Sequence, residues 1–142
     1  MHARAAFAEY AKFVSSESAI GYVRWMLAAV AAPPPPATAA AAGHVVRMAR
    51  GSYCWETTCV DMIPPQQRAD IPPLRIRRGA RVTLRLAFVP TRWSVTIVGS
   101  ATSIPLPAAR TATWLARRGG ILDVDARGRV GSASYLVRIV LR

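Results

Sequence analysis

From His44 onward the apolar and polar positions of this chain alternate with a period of two. Val82, Leu84, Leu86 and Phe88 fall on one side and Arg81, Thr83, Arg85 and Ala87 on the other, which is the pattern of a half-buried strand. Trp93, Val95 and Ile97 repeat it up to Gly99, and Leu122, Val124 and Ala126 repeat it with Asp123 and Asp125 opposite. Shorter strands are expected at Leu74–Ile76 and Thr111–Leu115, and one long or broken strand over His44–Trp55. Cys59–Ile63 opens another, whereas Pro64–Pro73 reads as a loop because its four prolines remove ladder donors. Pro105 and Pro107 mark a second loop. The last segment, Ala133–Leu141, places Tyr135, Val137, Ile139 and Leu141 on one face, yet Leu136 and Val140 make the other face apolar too. A strand buried on both sides belongs in the middle of a sheet.

Short strands separated by turn signals, with no amphipathic helix after residue 43, predict an all-β domain over residues 44–142. Seven or eight strands in that length favour an immunoglobulin-like β-sandwich, with a small barrel as the alternative. Residues 1–32 read as a leader and residues 33–43 as a Pro/Ala linker. The apolar run Ala19–Ala32, broken only by Arg24, is followed by four consecutive prolines that cannot continue a helix. Two readings of the leader stand. One is an export signal ending near Ala29-Val30-Ala31 or Ala37-Thr38-Ala39. The other is an amphipathic helix of a cytoplasmic protein. The run is too short for a membrane span, which needs roughly 20 apolar residues.

Charge changes the picture next. The net charge is +12, and the only lysine is Lys12. From His44 onward 16 Arg face five acids, Glu56, Asp61, Asp70, Asp123 and Asp125. Such a domain attracts polyanions, whether nucleic acid, anionic headgroups or acidic wall polymers, although arginine also fills solvent-facing strand positions without any partner.

Gly51-Ser52-Tyr53-Cys54-Trp55, then Cys59-Val60-Asp61, and the closing Gly131-Ser132-Ala133-Ser134-Tyr135 resemble a group of small uncharacterised bacterial envelope proteins. These carry a Gly-Ser-Tyr-Cys-Trp motif near the domain start and a Gly-x-Ala-Ser-Tyr strand at its end. The resemblance covers both ends of residues 50–142 and implies a β-sandwich that is exported or lipid-anchored. It implies no activity, and no cysteine precedes Cys54 to carry a lipid.

Little catalytic chemistry is on offer. Cys54 and Cys59, with four residues between them among strand formers, suit a structural disulfide in an oxidising compartment better than a redox pair or a zinc site. The only imidazoles are His2 and His44, which leaves a nucleophile without a base, and no phosphate loop or dinucleotide fingerprint occurs. Asp123 and Asp125 share one face of a strand, and surface pairing with arginine is their expected role. Trp93 and Trp114 are expected in the core. Trp55, with Tyr53, Arg50 and Arg92, is the candidate partner-binding set, and the sequence leaves open whether the cysteine loop holds Trp55 outward. The expectation is therefore a non-enzymatic β-sandwich of the extracellular space or cell envelope, without cofactor or metal, that binds a protein or polymer. Arginine-mediated binding of nucleic acid or another polyanion is the alternative.

Overall fold

Eleven strands and one short 3-10 turn at Pro65–Gln67 account for the regular structure in a computed structural model, which describes residues 32–142. In chain order the strands are β1 (Ala37–Ala41), β2 (His44–Arg47), β3 (Ala49–Trp55), β4 (Thr58–Val60), β5 (Pro73–Ile76) and β6 (Arg81–Leu86). They continue with β7 (Arg92–Ile97), β8 (Ser103–Leu106), β9 (Thr111–Leu115), β10 (Gly120–Arg127) and β11 (Gly131–Leu141). Two sheets result. The smaller has the order β2-β1-β6-β9, and the larger runs β4-β3-β11-β10-β7-β8. All pairings are antiparallel except that of β5, which lies parallel to the second half of β11.

One core joins the two sheets. Ala39, Leu84 and Trp114 of the smaller sheet share it with Trp93, Val95, Val124, Tyr135 and Val137 of the larger. Burying a large apolar side chain of this kind contributes about 1.5–3 kcal/mol, so the alternating inward residues supply the main driving force. The long β11 is central, as its two-sided pattern requires: Leu136 on its outer side packs with Ile71 and Ile121 in a second small cluster. The loop that follows β4 therefore covers part of the larger sheet's outer face.

The structure corrects the expected strand count and the expected linker. His44–Trp55 is broken at Met48, where the chain leaves the smaller sheet for the larger, and β8 forms through Pro105 on a sheet edge, where a missing N–H is tolerated. Residues 37–41, expected within the linker 33–43, form β1, and residues 34–142 make one compact unit. Alanine is a weak strand former. Here its size decides: Ala37, Ala39 and Ala41 fill narrow inward positions and are almost wholly buried. The preceding prolines cannot donate, but they do accept. Tyr135 donates its hydroxyl to the Pro35 carbonyl at 2.6 Å, and Arg50 Nε donates to the Pro34 carbonyl at 2.9 Å.

The expected leader, residues 1–32, lies outside the described residues apart from Ala32. Among those described, no helix is long and apolar enough to cross a membrane.

Candidate functional site

Cys54 and Cys59 are direct cross-strand neighbours of the β3–β4 hairpin and form a disulfide. This bond faces outward, and the period of two then decides its neighbours. Tyr53 and Trp55 point to the core, and Trp55 is only 7% exposed. Trp55, whose direction the sequence leaves open, packs edge-on against Phe88, with ring centroids 5.0 Å apart. Tyr53 is half-buried on the same inner side, and Arg50 is tied to the Pro34 carbonyl. Arg92 alone of the four stands exposed. Tyr53, Trp55, Arg50 and Arg92 therefore do not make one binding surface. Trp93 and Trp114 are in the core, as expected.

A polar groove crosses the outer face of the larger sheet instead. Two adjoining cavities of about 420 and 310 Å³ share Ser52, Asp125 and Ser134. Arg92 and Arg127 lie at one end of the groove, and Arg68 at the other. Ser134 sits where the β3–β11 register shifts, opposite Gly51. A Cβ on Gly51 would come within 2.5 Å of the Ser134 hydroxyl, so glycine is what admits that side chain. Ser134 Oγ donates to Asp123 Oδ1 at 2.9 Å. Asp123 and Asp125 are hydrogen-bonded to each other, and among the described residues neither forms an ion pair with arginine, contrary to expectation. Burial, and next the neighbouring Asp125 charge, push the Asp123 carboxyl up to about 6, against the opposing hydrogen bond from Ser134. Asp125 is raised by burial and held back by its bond to Asp123. Burial and the neighbouring carboxylate thus favour a proton on Asp123 at mildly acid pH. Among the described residues the pair has neither an imidazole beside it nor a third ligand for a metal.

The smaller sheet has the opposite character. Its outer face presents Arg47 and Val45 from β2, Thr38 and Ala40 from β1, Arg81, Thr83 and Arg85 from β6, and Thr111, Thr113 and Leu115 from β9. Pairing sets Arg47, Thr38, Arg85 and Thr111 in one row across the four strands. Arg47 and Arg85 are therefore two strands, about 10 Å, apart. Among the described residues every acid belongs to the larger sheet or its loops. Glu56 and Asp61 flank β4, Asp70 is bound to Arg68, and Asp123 and Asp125 face outward from β10. The two sheet planes are about 10 Å apart, and exposed charges are largely screened beyond about 8 Å at physiological ionic strength. The acids thus do little to neutralise the arginine face.

This face was missing from the expected site residues, and the sequence marks it weakly. Residues 71–122 contain nine arginines and no acid, but of these only Arg81 and Arg85 lie on the face. The topology needed to see that Arg47 joins Arg81 and Arg85 on one face was not in that signal. No family model, curated protein or solved structure matches the chain.

Proposed function

We propose that this protein is a non-catalytic binding module that holds a linear polyanion across the outer face of its smaller sheet. The observation that carries this reading is the segregation of charge: Arg47, Arg81 and Arg85 stand on a face that holds otherwise only Thr, Ala, Val and Leu, with the acids on the other sheet. The face lacks an aromatic ring on which a base or sugar would stack. Recognition is then of backbone charge rather than sequence, so phosphate, sulfate and carboxylate polymers compete with one another. A disulfide and the resemblance to envelope proteins support an exported location, where acidic wall polymers are the available ligands.

The arrangement also supports the immunoglobulin-like form of the sandwich. β7, β10 and β11 occupy the places of strands C, F and G, with β8 as C′, while β1, β6 and β9 occupy those of A, B and E. The buried Trp93 lies on the C-equivalent strand, as the buried tryptophan of that fold does. The disulfide departs from the pattern, since it closes the β3–β4 hairpin and does not join the sheets.

Binding of a labelled oligonucleotide and of heparin, measured over a salt series, tests the proposal. The R47Q/R81Q/R85Q variant should bind more weakly and lower the log–log salt slope by about 2, the value for three contacts on a single strand. A control, R92Q/R127Q/R129Q on the other sheet side, should change it far less. Equal losses in the two variants, or no binding by the native protein at low salt, would refute the reading.

A further inference from the structure

The two sheets do not end together. On the β8 side the larger sheet extends past the smaller, which stops at β9. Ile104 of β8 pairs with the buried Val95, so both side chains point to the core side. Val95 is 1% exposed, yet Ile104 is 45% exposed, since among the described residues no strand of the smaller sheet lies over it. The gap is a cleft of about 440 Å³ whose walls include Val95, Ile97, Ile104 and Trp114, with Arg117 and Arg118 alongside.

Among the described residues no strand pairs with the outer edge of β9, which borders this cleft. Strand edges in native proteins are usually blunted by proline or charge, as Pro105 blunts β8, but β9 reads Thr-Ala-Thr-Trp-Leu and has neither. The direction of its backbone groups is fixed by the bonds to β6. The Ala116 N–H donates to the Ala80 carbonyl, and the Arg110 carbonyl accepts from the Leu86 N–H, so even-numbered residues face β6. By alternation along an antiparallel strand, the N–H and C=O of Thr111 and Thr113 face the open side.

We infer that β9 accepts an added strand: an extended peptide from a partner protein pairs with its free edge, lays alternate apolar side chains over Ile104, and places an acidic residue beside Arg117 and Arg118. An extended peptide uses all three features at once, namely unpaired backbone groups, an uncovered apolar wall and a cationic end. Among the described residues no carboxylate forms an ion pair with Arg117 or Arg118, which leaves their charge for the incoming strand. The site adjoins the arginine face along β9 but rests on other residues, so either proposal stands if the other fails.

The test uses the full chain and two synthetic peptides that alternate Val with Thr, one with a Glu pair before the alternation and one with it after. Binding of either, measured by fluorescence anisotropy, is the expected result, and the preferred peptide reports whether the added strand runs antiparallel or parallel. Thr113→Pro removes an edge-facing N–H while sparing the β6 ladder, a place where proline is tolerated. It should weaken binding about tenfold or more, the equivalent of a lost backbone hydrogen bond and the pairing that depends on it. R117Q/R118Q should abolish the preference for the Glu-bearing peptide over its Gln counterpart, and Ile104→Glu should weaken both. R47Q/R81Q/R85Q should leave peptide binding in place, which separates it from attraction to the arginine face. The inference is overturned if neither peptide binds, or if Thr113→Pro binds as tightly as the native protein. It is equally overturned if sedimentation shows a dimer that Thr113→Pro dissociates, which would make a second copy the occupant.

Discussion

Asp123 shows how one residue's environment turns into a measurable property of the whole protein. Its carboxyl is raised to about 6 by burial beside Asp125, whereas in the unfolded chain it titrates near the ordinary value of 3.8. The folded state therefore binds the proton more tightly, and stability falls as pH rises from about 4 to about 6 and stays lower above that. A shift of this size, discounted for the partial exposure of the side chain, amounts to about 2 kcal/mol. Asp123→Asn keeps an acceptor for Ser134 Oγ and a donor toward Asp125 but carries no charge to bury. It should raise the denaturation midpoint at pH 7–8 by the equivalent of about 1–2 kcal/mol and flatten the profile between pH 4 and 6. Thermal melts of both proteins across that range check this, and an unchanged slope in the variant would show that another group sets the profile. At the same scale the sequence revealed the disulfide partners but left the direction of Trp55 open. Its burial depends on Phe88, which is remote in sequence, although alternation from an outward Cys54 already required an inward Trp55.

Among the elements, the alternating strands β6, β7, β10 and β11 were legible because each holds one buried face and period-two patterning needs no partner to be seen. β1 was not legible. Its alanines have low strand propensity and follow four prolines, so local preference argued for a spacer while tertiary fit decided otherwise. What holds this stretch is partly polar: the buried Tyr135 hydroxyl reaches the Pro35 carbonyl across 100 residues of chain. Tyr135→Phe leaves that carbonyl without its donor and should cost about 1–2 kcal/mol in denaturant titrations. Burial also pushes the Tyr135 phenol up to about 12. The native protein should then lose further stability between pH 10 and 12, where the unfolded state releases the proton first, and the Phe variant should lack that component. An equal loss in both would place the alkaline effect elsewhere.

For the whole molecule, the same arginines that attract a polyanion work against compactness. Residues 71–122 bring nine arginines into β5–β9 and their turns with no acid among them, and among the described residues Arg68–Asp70 is the one ion pair. Repulsion between exposed like charges is screened by salt, so added sodium chloride should raise the melting temperature while it weakens polyanion binding. A protein stabilised by surface ion pairs would respond with the opposite sign. Neutralising Arg47, Arg81 and Arg85 to Gln should reproduce part of the salt effect, by under about 1 kcal/mol in total at low ionic strength, since unit charges about 10 Å apart in water repel by about 0.4 kcal/mol. A saturating polyanion should do the same for the native protein, because a ligand held only by the folded state stabilises it by mass action. Melting curves with and without heparin at low salt separate the possibilities. If heparin raises the midpoint of the native protein and not that of the triple variant, repulsion and attraction arise from the same three side chains. If both proteins respond alike, the charge that matters is spread over the surface, and the smaller sheet has no special claim on the ligand.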